Sequence, residues 1–341
     1  MVQLGIAGIG FMGMIHYRAA QRVKGARVTA IASRDPKKLR GDWRGIRGNF
    51  GPAGEQMNLA KVKCYADFAD MIADPEIDLI DICTPTHLHE PMAVSALGAG
   101  KHVLVEKAIA LETGQADSML RAARRAGRLL MVGHVLPFFP EFAFAADAVR
   151  SGAYGKLLGA HFTRVISRPD WSADIGDASK TGGPAVDLHI HDTHFIGLLG
   201  GMPGKVFSCG LLGAGGSVEY LTTQYLYGDG GPAISCSSGA VAMSSRPFVH
   251  GFEVYLEKAT LAYESGTTPL TVFTSNARAK QPRLRGTTDP IDAFAAEIRS
   301  AVEAVAFGRE SDLLSCKLAR DALALCHKEC QSVRTGKVVA V

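Results

Sequence analysis

The sequence predicts an α/β protein in two parts: a doubly wound parallel sheet, then an α+β unit with a large, mostly antiparallel sheet. Three observations carry this expectation. Short apolar runs alternate with helical segments up to residue 136, the pattern of right-handed βαβ units. Beyond Pro137, and above all from Lys205 to Phe273, strand-like segments follow one another through Gly-rich turns, as in antiparallel or mixed sheets. The length of 341 residues allows two domains that each bury a core, so the expected division is 1–136 and 137–341.

Val2–Ala7 is an apolar run without polar alternation, which reads as a strand buried on both faces. It runs into Gly8-Ile9-Gly10-Phe11-Met12-Gly13, and a helical pattern continues through Ala20. Gly8 permits a tight turn, Gly10 brings no Cβ toward a pyrophosphate, and Gly13 lets the helix approach its strand. Between a strand and a helix, this G-x-G-x-x-G reads as the phosphate loop of a dinucleotide-binding Rossmann unit, with Phe11 and Met12 in the loop. A tight βα turn without a ligand is the alternative.

Arg27–Ser33 is a second strand, and Gly41–Ala60, rich in Gly and Asn, reads as a long surface excursion. Lys63–Tyr65 is a short strand, and Asp67 an N-cap for a helix to Ala73. Asp78–Cys83, His102–Glu106 and Leu129–Gly133 are strands, separated by helices over Glu90–Ala99 and Thr113–Ala126 that close at Gly100 and Gly127. In the second part, a helix over Glu141–Ser151 precedes a strand over Leu157–Ser167, and Thr181–Leu199 contains a helix. Strands are expected at 205–212, 218–227, 233–243, 251–257, 260–264 and 269–273, then helices over Pro290–Phe307 and Leu314–Val333.

Composition narrows the partners. A net charge of +4 is too small and dispersed for a nucleic-acid surface, and Arg121–Arg128 reads as a solvated helix end. Seven scattered cysteines do not form a disulfide framework, and the Cys326/Cys330 pair falls inside a helical pattern. No run of about 18 apolar residues spans a membrane, and the chain starts on a core strand. A cytoplasmic protein without nucleic-acid or membrane partners is the simplest expectation.

Ligands of open α/β sheets bind beyond the carboxyl ends of the strands. After the second strand stand Ser33-Arg34, with Lys37 and Lys38 behind, where NAD-preferring domains place an acidic residue. A hydroxyl and a guanidinium suit a 2′-phosphate, so NADP is favoured, with NAD possible through Asp35.

The other strand ends supply Cys83-Thr84-Pro85-Thr86-His87-Leu88-His89 and Glu106-Lys107-Ala108. Together with the glycine loop, Gly182-Gly183-Pro184-Ala185-Val186-Asp187-Leu188-His189-Ile190-His191-Asp192 and the closing Ser332–Lys337, the sequence resembles the glucose–fructose oxidoreductase/inositol dehydrogenase (Gfo/Idh/MocA) family. The resemblance runs over nearly the whole chain. It implies that Lys107 contacts both substrate and nicotinamide, and that Glu106 fixes the loop or the nicotinamide ribose. Cys83, Thr84, Pro85 and His89 join the cofactor set with Lys38. Ala108 replaces the family's usual proline.

The same resemblance makes Asp187 and His191 the catalytic pair. Four residues apart, they share one helix face, where a carboxylate orients and strengthens an imidazole base. His134 and Trp171 are further substrate-site residues, although Val135 and Pro137 depart from the family's pattern around His134. Asp187, His189, His191, Asp192 and His194 invite a metal reading. Side chains two positions apart diverge by about 200° on a helix, however, so no metal is expected.

The expected function is an NAD(P)-dependent oxidoreductase acting on a secondary hydroxyl or ketone of a sugar, cyclitol or related polyol. Alternatives are an NAD-dependent glycoside hydrolase of the same fold and a non-catalytic NADP-binding regulatory protein. A homodimer or homotetramer is expected by analogy with relatives.

Overall fold

The computed structural model describes residues 1–169, 176–213, 215–275 and 277–341. In chain order the first elements are β1 (Val2–Ala7), α1 (Phe11–Ala20), β2 (Ala26–Ala32), α2 (Pro36–Leu39), β3 (Lys63–Tyr65) and α3 (Phe68–Ala73). Next come β4 (Leu79–Ile82), α4 (His89–Gly98), β5 (His102–Glu106), α5 (Thr113–Ala126) and β6 (Leu130–Gly133). The middle of the chain holds α6 (Pro140–Ser151), β7 (Leu157–Ser167), α7 (Ala178–Thr181), α8 (Pro184–Asp187) and α9 (Ile190–Gly200). Seven strands follow: β8 (Lys205–Leu212), β9 (Val218–Leu226), β10 (Ala233–Ala242), β11 (Val249–Leu256), β12 (Ala259–Glu264), β13 (Thr268–Thr274) and β14 (Ala277–Lys280). The chain closes with α10 (Pro290–Phe307), α11 (Cys316–Thr335) and β15 (Val339–Ala340). These elements form two units, Met1–Phe138 with Gly286–Arg320, and Phe139–Arg285 with Asp321–Val341.

The first unit is a six-stranded parallel sheet in the order β3-β2-β1-β4-β5-β6. Its central strands are apolar on both faces because helices cover both: Leu4, Ile6, Leu79, Ile80, Val103 and Leu104 are all fully buried. The strand order reverses beside β1, which makes the crevice between the ends of β1 and β4 the natural ligand position. Local signals end the helices as expected. Asp67 accepts from Ala69 N at 2.9 Å to cap α3, and α5 stops at Gly127 in the left-handed conformation (φ 60°).

One element joins this sheet from far along the chain. Helix α10 packs on α1 with a stripe of Ile291, Phe294, Ile298, Ala301 and Val302, all buried at helical spacing. Burying each of the larger side chains contributes on the order of 1.5–3 kcal/mol. Arg22 at the far end of α1 reaches Asp289 Oδ2 at 2.7 Å and Asp292 Oδ1 at 2.6 Å, pinning the start of α10.

The Gly41–Ala60 stretch corrects the expectation of a surface excursion. Trp43 within it is fully buried, packs edge-on against Tyr17 (5.0 Å between ring centres), and donates from Nε1 to Lys38 O at 2.9 Å. Phe50 meets Phe11 at 4.8 Å and stacks on Phe294 at 5.5 Å. The segment is therefore a packed loop on α1, stitched by backbone bonds such as Met57 N to Gly41 O at 2.8 Å. Its glycines obscured the few aromatic anchors that hold it.

The second unit is built on a nine-stranded sheet, β14-β13-β12-β11-β7-β10-β9-β8-β15, antiparallel except where β10 runs parallel to β7. Phe142 of α6 and Phe195 of α9 meet edge to face at 5.1 Å over Phe162 and Phe252 of the sheet, forming its aromatic core. Two strands went unread: β15 has only two residues, and the basic Ala277–Lys280 shows no apolar alternation. All seven cysteines are free thiols, four of them buried. Among the described residues no helix is long and apolar enough to cross a membrane.

Candidate functional site

The glycine loop has the geometry that its sequence implied. Gly8 takes φ +92°, and a Cβ there would lie 2.9 Å from the Cys83 carbonyl oxygen. A Cβ on Gly13 would lie 2.1 Å from Gly8 O, so the helix sits as close to the strand end as backbone allows. At Gly10 the same test meets nothing within 4 Å. The first turn of α1 has no side-chain cap and no acidic residue. Its N–H groups and the positive end of the helix dipole are thus available to an anion at an open glycine, which fits a dinucleotide pyrophosphate.

At the end of β2, Ser33 Oγ accepts from Asp35 N at 3.2 Å, and Asp35 Oδ1 accepts from Lys37 N at 2.9 Å to cap α2. Asp35 is thereby engaged in the turn, whereas Arg34 is exposed and Lys38 half-buried beside it. The turn presents cationic groups outward.

The ends of β4 and β5 are tied together by histidines. His89 is fully buried, with Nδ1 2.8 Å from Ala108 O and Nε2 2.8 Å from Thr84 O. Burial lowers its imidazole below the ordinary value despite these carbonyls. This corrects its placement among cofactor contacts: the ring is fully buried between the two strand-end loops, with its one N–H donated to one of these carbonyls. Thr84 and Pro85 are half-buried on the loop itself, while Cys83 is buried, its Sγ 3.5 Å from Asp81 Oδ1. Lys107 follows β5, half-buried, and the Lys107–Ala108 peptide is cis.

Beneath these loops lies a cluster that the sequence did not announce. His16 of α1 is fully buried, with Nδ1 2.8 Å from Asp81 Oδ2 and Nε2 3.0 Å from Glu106 Oε1. Glu297 Oε1 of α10 lies 3.8 Å from the same Nε2. Burial alone would lower the imidazole, but Asp81 and Cys83 beside it together outweigh burial and hold the ring well above its ordinary value. Burial raises Glu106, and the bond and charge of His16 bring it below the usual carboxylate range. Glu297 is held well above that range, chiefly by burial. Among the described residues, His16, Asp81 and Cys83 are the group spaced closely enough for a metal. Both imidazole nitrogens face carboxylates, Nδ1 in a hydrogen bond to Asp81 and Nε2 in an ion pair with Glu106.

The state of Glu297 has a consequence for stability. A carboxyl that keeps its proton in the fold and loses it in the unfolded chain stabilises the protein below the ordinary glutamate value. That stabilisation is lost as pH rises from there through the folded-state value. Glu297→Gln needs no proton, so its stability relative to the parent should rise between about pH 5 and pH 8, by at least about 1 kcal/mol. Denaturant titrations across that range check this; a difference independent of pH would show that Glu297 is ionised in the fold.

In the second unit, the expected single helix around Asp187 and His191 is two short ones. Gly183 (φ 73°) and Pro184 start α8, and α9 begins after Leu188 and His189, both in right-handed helical conformation. At the joint the bonding tightens, with Asp192 N to His189 O at 3.1 Å, so the side chains keep nearly helical spacing. Asp187, Leu188 and His191 are half-buried, whereas Ala185, Val186, His189, Ile190 and Asp192 are buried. Asp187 and His191 thus lie on one partly open face despite the break.

The remaining members of the possible metal cluster go elsewhere. His189 Nε2 lies 2.9 Å from Glu329 Oε2 of α11, both fully buried, and this carboxylate raises the imidazole against the effect of burial. Asp192 receives a bidentate Arg164 from β7 at 2.7 and 3.0 Å. His194 is buried, which pushes it down to about 3. These buried pairs fix the rotation of α9 about its axis. His134, following β6, is 1% exposed, and Trp171 lies outside the described residues.

A parallel sheet with the strand order β3-β2-β1-β4-β5-β6 and a bare glycine turn after its first strand defines a dinucleotide-binding Rossmann unit. Residues 2–134 match the Gfo/Idh/MocA family model described as "Oxidoreductase family, NAD-binding Rossmann fold", so this part of the chain is similar to that family. It is 27% identical over 283 residues to an uncharacterized oxidoreductase of Bacillus subtilis, covering 80% of this chain and 76% of that protein. It is also 27% identical over 191 residues to myo-inositol 2-dehydrogenase of Thermotoga maritima, covering 56% of this chain and only 52% of that enzyme. The crystal structure of aldose–aldose oxidoreductase from Caulobacter crescentus, complexed with glycerol, has the same fold, with a TM-score of 0.84 at 22% identity over 100% and 99% of the two chains.

Proposed function

We propose that this protein is a nicotinamide-dependent dehydrogenase or reductase that interconverts a secondary hydroxyl and a ketone on a sugar, cyclitol or related polyol. The observation that carries the proposal is Lys107 at the carboxyl end of β5, in a sheet whose first turn leaves open space at Gly10. The names of the Thermotoga and Caulobacter proteins support a polyol substrate.

The loop Gly8–Gly13, Ser33, Arg34 and the β4 and β5 strand ends would hold the cofactor, whose nicotinamide supplies a hydride acceptor when bound. Lys107 polarises the substrate oxygen and favours the alkoxide character that develops there. His191 takes the hydroxyl proton, with Asp187 orienting the imidazole or binding a neighbouring hydroxyl. A screen of sugars and cyclitols with both cofactors, followed in both directions, should find one that changes the reduced-nicotinamide absorbance. Sugar release from a glycoside without net cofactor reduction would instead favour the hydrolase alternative.

Within this proposal NADP is the preferred cofactor. The exposed Arg34 next to Ser33 supports it, as does the use of the Asp35 carboxylate as a helix cap. Ser33→Asp with Arg34→Leu should move the ratio of NADP to NAD dissociation constants toward NAD by at least about tenfold, or ~1.4 kcal/mol. An unchanged ratio would remove the assignment. Assembly into dimers or tetramers through the nine-stranded sheet belongs to the same proposal, supported by exposed Phe207, Leu211, Leu212 and Phe273.

A further inference from the structure

We propose that His16 is a positioning residue for Lys107, acting through Glu106. One carboxylate links the two: Glu106 Oε1 lies 3.0 Å from His16 Nε2, and Glu106 Oε2 accepts from the Lys107 backbone N–H at 3.0 Å. The carboxylate is buried, with only 6% of the residue exposed, so water cannot readily replace either partner. Its orientation is set by the imidazole, and the imidazole is in turn set by Asp81, 2.8 Å from the opposite ring nitrogen.

The connection joins two parts of the Rossmann unit that cofactor chemistry requires together. His16 stands three residues after Gly13, on the helix whose first turn faces the open glycine, and Lys107 stands at the end of β5. Carboxylates flank the ring on both sides, Asp81 hydrogen-bonded to Nδ1 and Glu106 in a close ion pair with Nε2, an arrangement that favours the imidazolium. The raised imidazole and lowered Glu106 agree with that charge state. Glu297, raised chiefly by burial, is the fourth member, 3.8 Å from the same Nε2 and not bonded to the ring. A change at His16 is therefore transmitted to the Lys107 backbone through its close ion pair with Glu106 and the hydrogen bond that Glu106 Oε2 accepts from the Lys107 amide, without contact between His16 and any ligand.

The two ring nitrogens can be tested separately. In His16→Asn the side-chain amide reaches the position of Nδ1 and keeps the Asp81 contact, whereas in His16→Gln it reaches Nε2 and keeps the Glu106 contact. Amide hydrogen exchange of the full chain, read residue by residue by NMR, reports the Glu106 clamp directly and needs no substrate. The Lys107 amide should exchange at least about tenfold faster in His16→Asn, and near the parent rate in His16→Gln. The amides of β5 itself should stay within about twofold in both. Nitrogen-15 spectra of the parent protein at neutral pH should show His16 protonated at both ring positions.

The inference rests on the proposed role of Lys107 only for its kinetic consequence. With a polyol substrate, His16→Asn should lose about tenfold in kcat while cofactor affinity holds, and His16→Gln should retain most of it. An unchanged Lys107 amide in His16→Asn, equal acceleration throughout β5, or a singly protonated ring would each overturn the positioning role. If no polyol is turned over by the parent protein, the proposed function fails, while the exchange and nitrogen-15 results still decide the role of His16.

Discussion

Lys107→Met should fold and bind cofactor as the parent protein does, yet lose about 100- to 1000-fold in kcat. Methionine keeps most of the length and apolar stem of lysine but removes its charge, so the loss isolates electrostatics from packing. The backbone contribution is unaffected, because the Glu106 carboxylate binds the amide of residue 107 and not its side chain. Fluorescence titration with reduced cofactor separates binding from turnover. A variant that binds normally and turns over within a few-fold of the parent would remove Lys107 from the chemistry. One that loses cofactor affinity in proportion to kcat would make it a binding residue instead.

His191→Ala should cost about 100- to 10,000-fold in turnover, the range for loss of a positioned general base. The side chain lies on a partly open helix face, so truncating it leaves the packed residues intact and melting should shift little. By contrast His189 and Asp192, its neighbours in sequence, are in buried ion pairs with Glu329 and Arg164, and truncating either leaves a buried charge alone. The expected pattern is therefore inverse: large kinetic loss with little destabilisation at His191, and large destabilisation at Asp192. Exogenous imidazole should restore part of the His191→Ala activity. Turnover near the parent level would refute the general-base role.

What the sequence disclosed depended on how local each feature is. The glycine loop was legible because its three glycines answer constraints within a few residues, and the structure adds the carbonyls they avoid. The limits of α10 were legible for the same reason, since Asp289, Pro290 and Gly308 mark them within the segment. Its destination was not: nothing in Pro290–Phe307 distinguishes a stripe that packs on α1 from one that packs on neighbouring strands. His16 went unread because its partners come from β4, β5 and α10, and no spacing along the chain brings them together. Trp43 and Phe50 were hidden by the glycines around them. His89 shows the opposite error. It stands in a motif associated with the cofactor, but its ring is fully buried between the two strand-end loops.

The start of α8 follows from sequence that was read for another purpose. Gly182 and Gly183 both take positive φ, and Pro184 starts a helix afresh at its first position. Only Pro184–Asp187 fits before the chain tightens at Leu188 and His189. The catalytic expectation for Asp187 and His191 came from the family resemblance, and both residues stay half-buried across the break.

Transfer of a labelled hydride tests the proposed chemistry most directly. A polyol found in the screen, deuterated at the carbon that is oxidised, should yield reduced cofactor carrying the deuterium on its nicotinamide ring, together with the ketone. The same label recovered in a hydrolysed sugar, with no deuterium accumulated in the cofactor pool and no ketone formed, would contradict the proposed dehydrogenase activity.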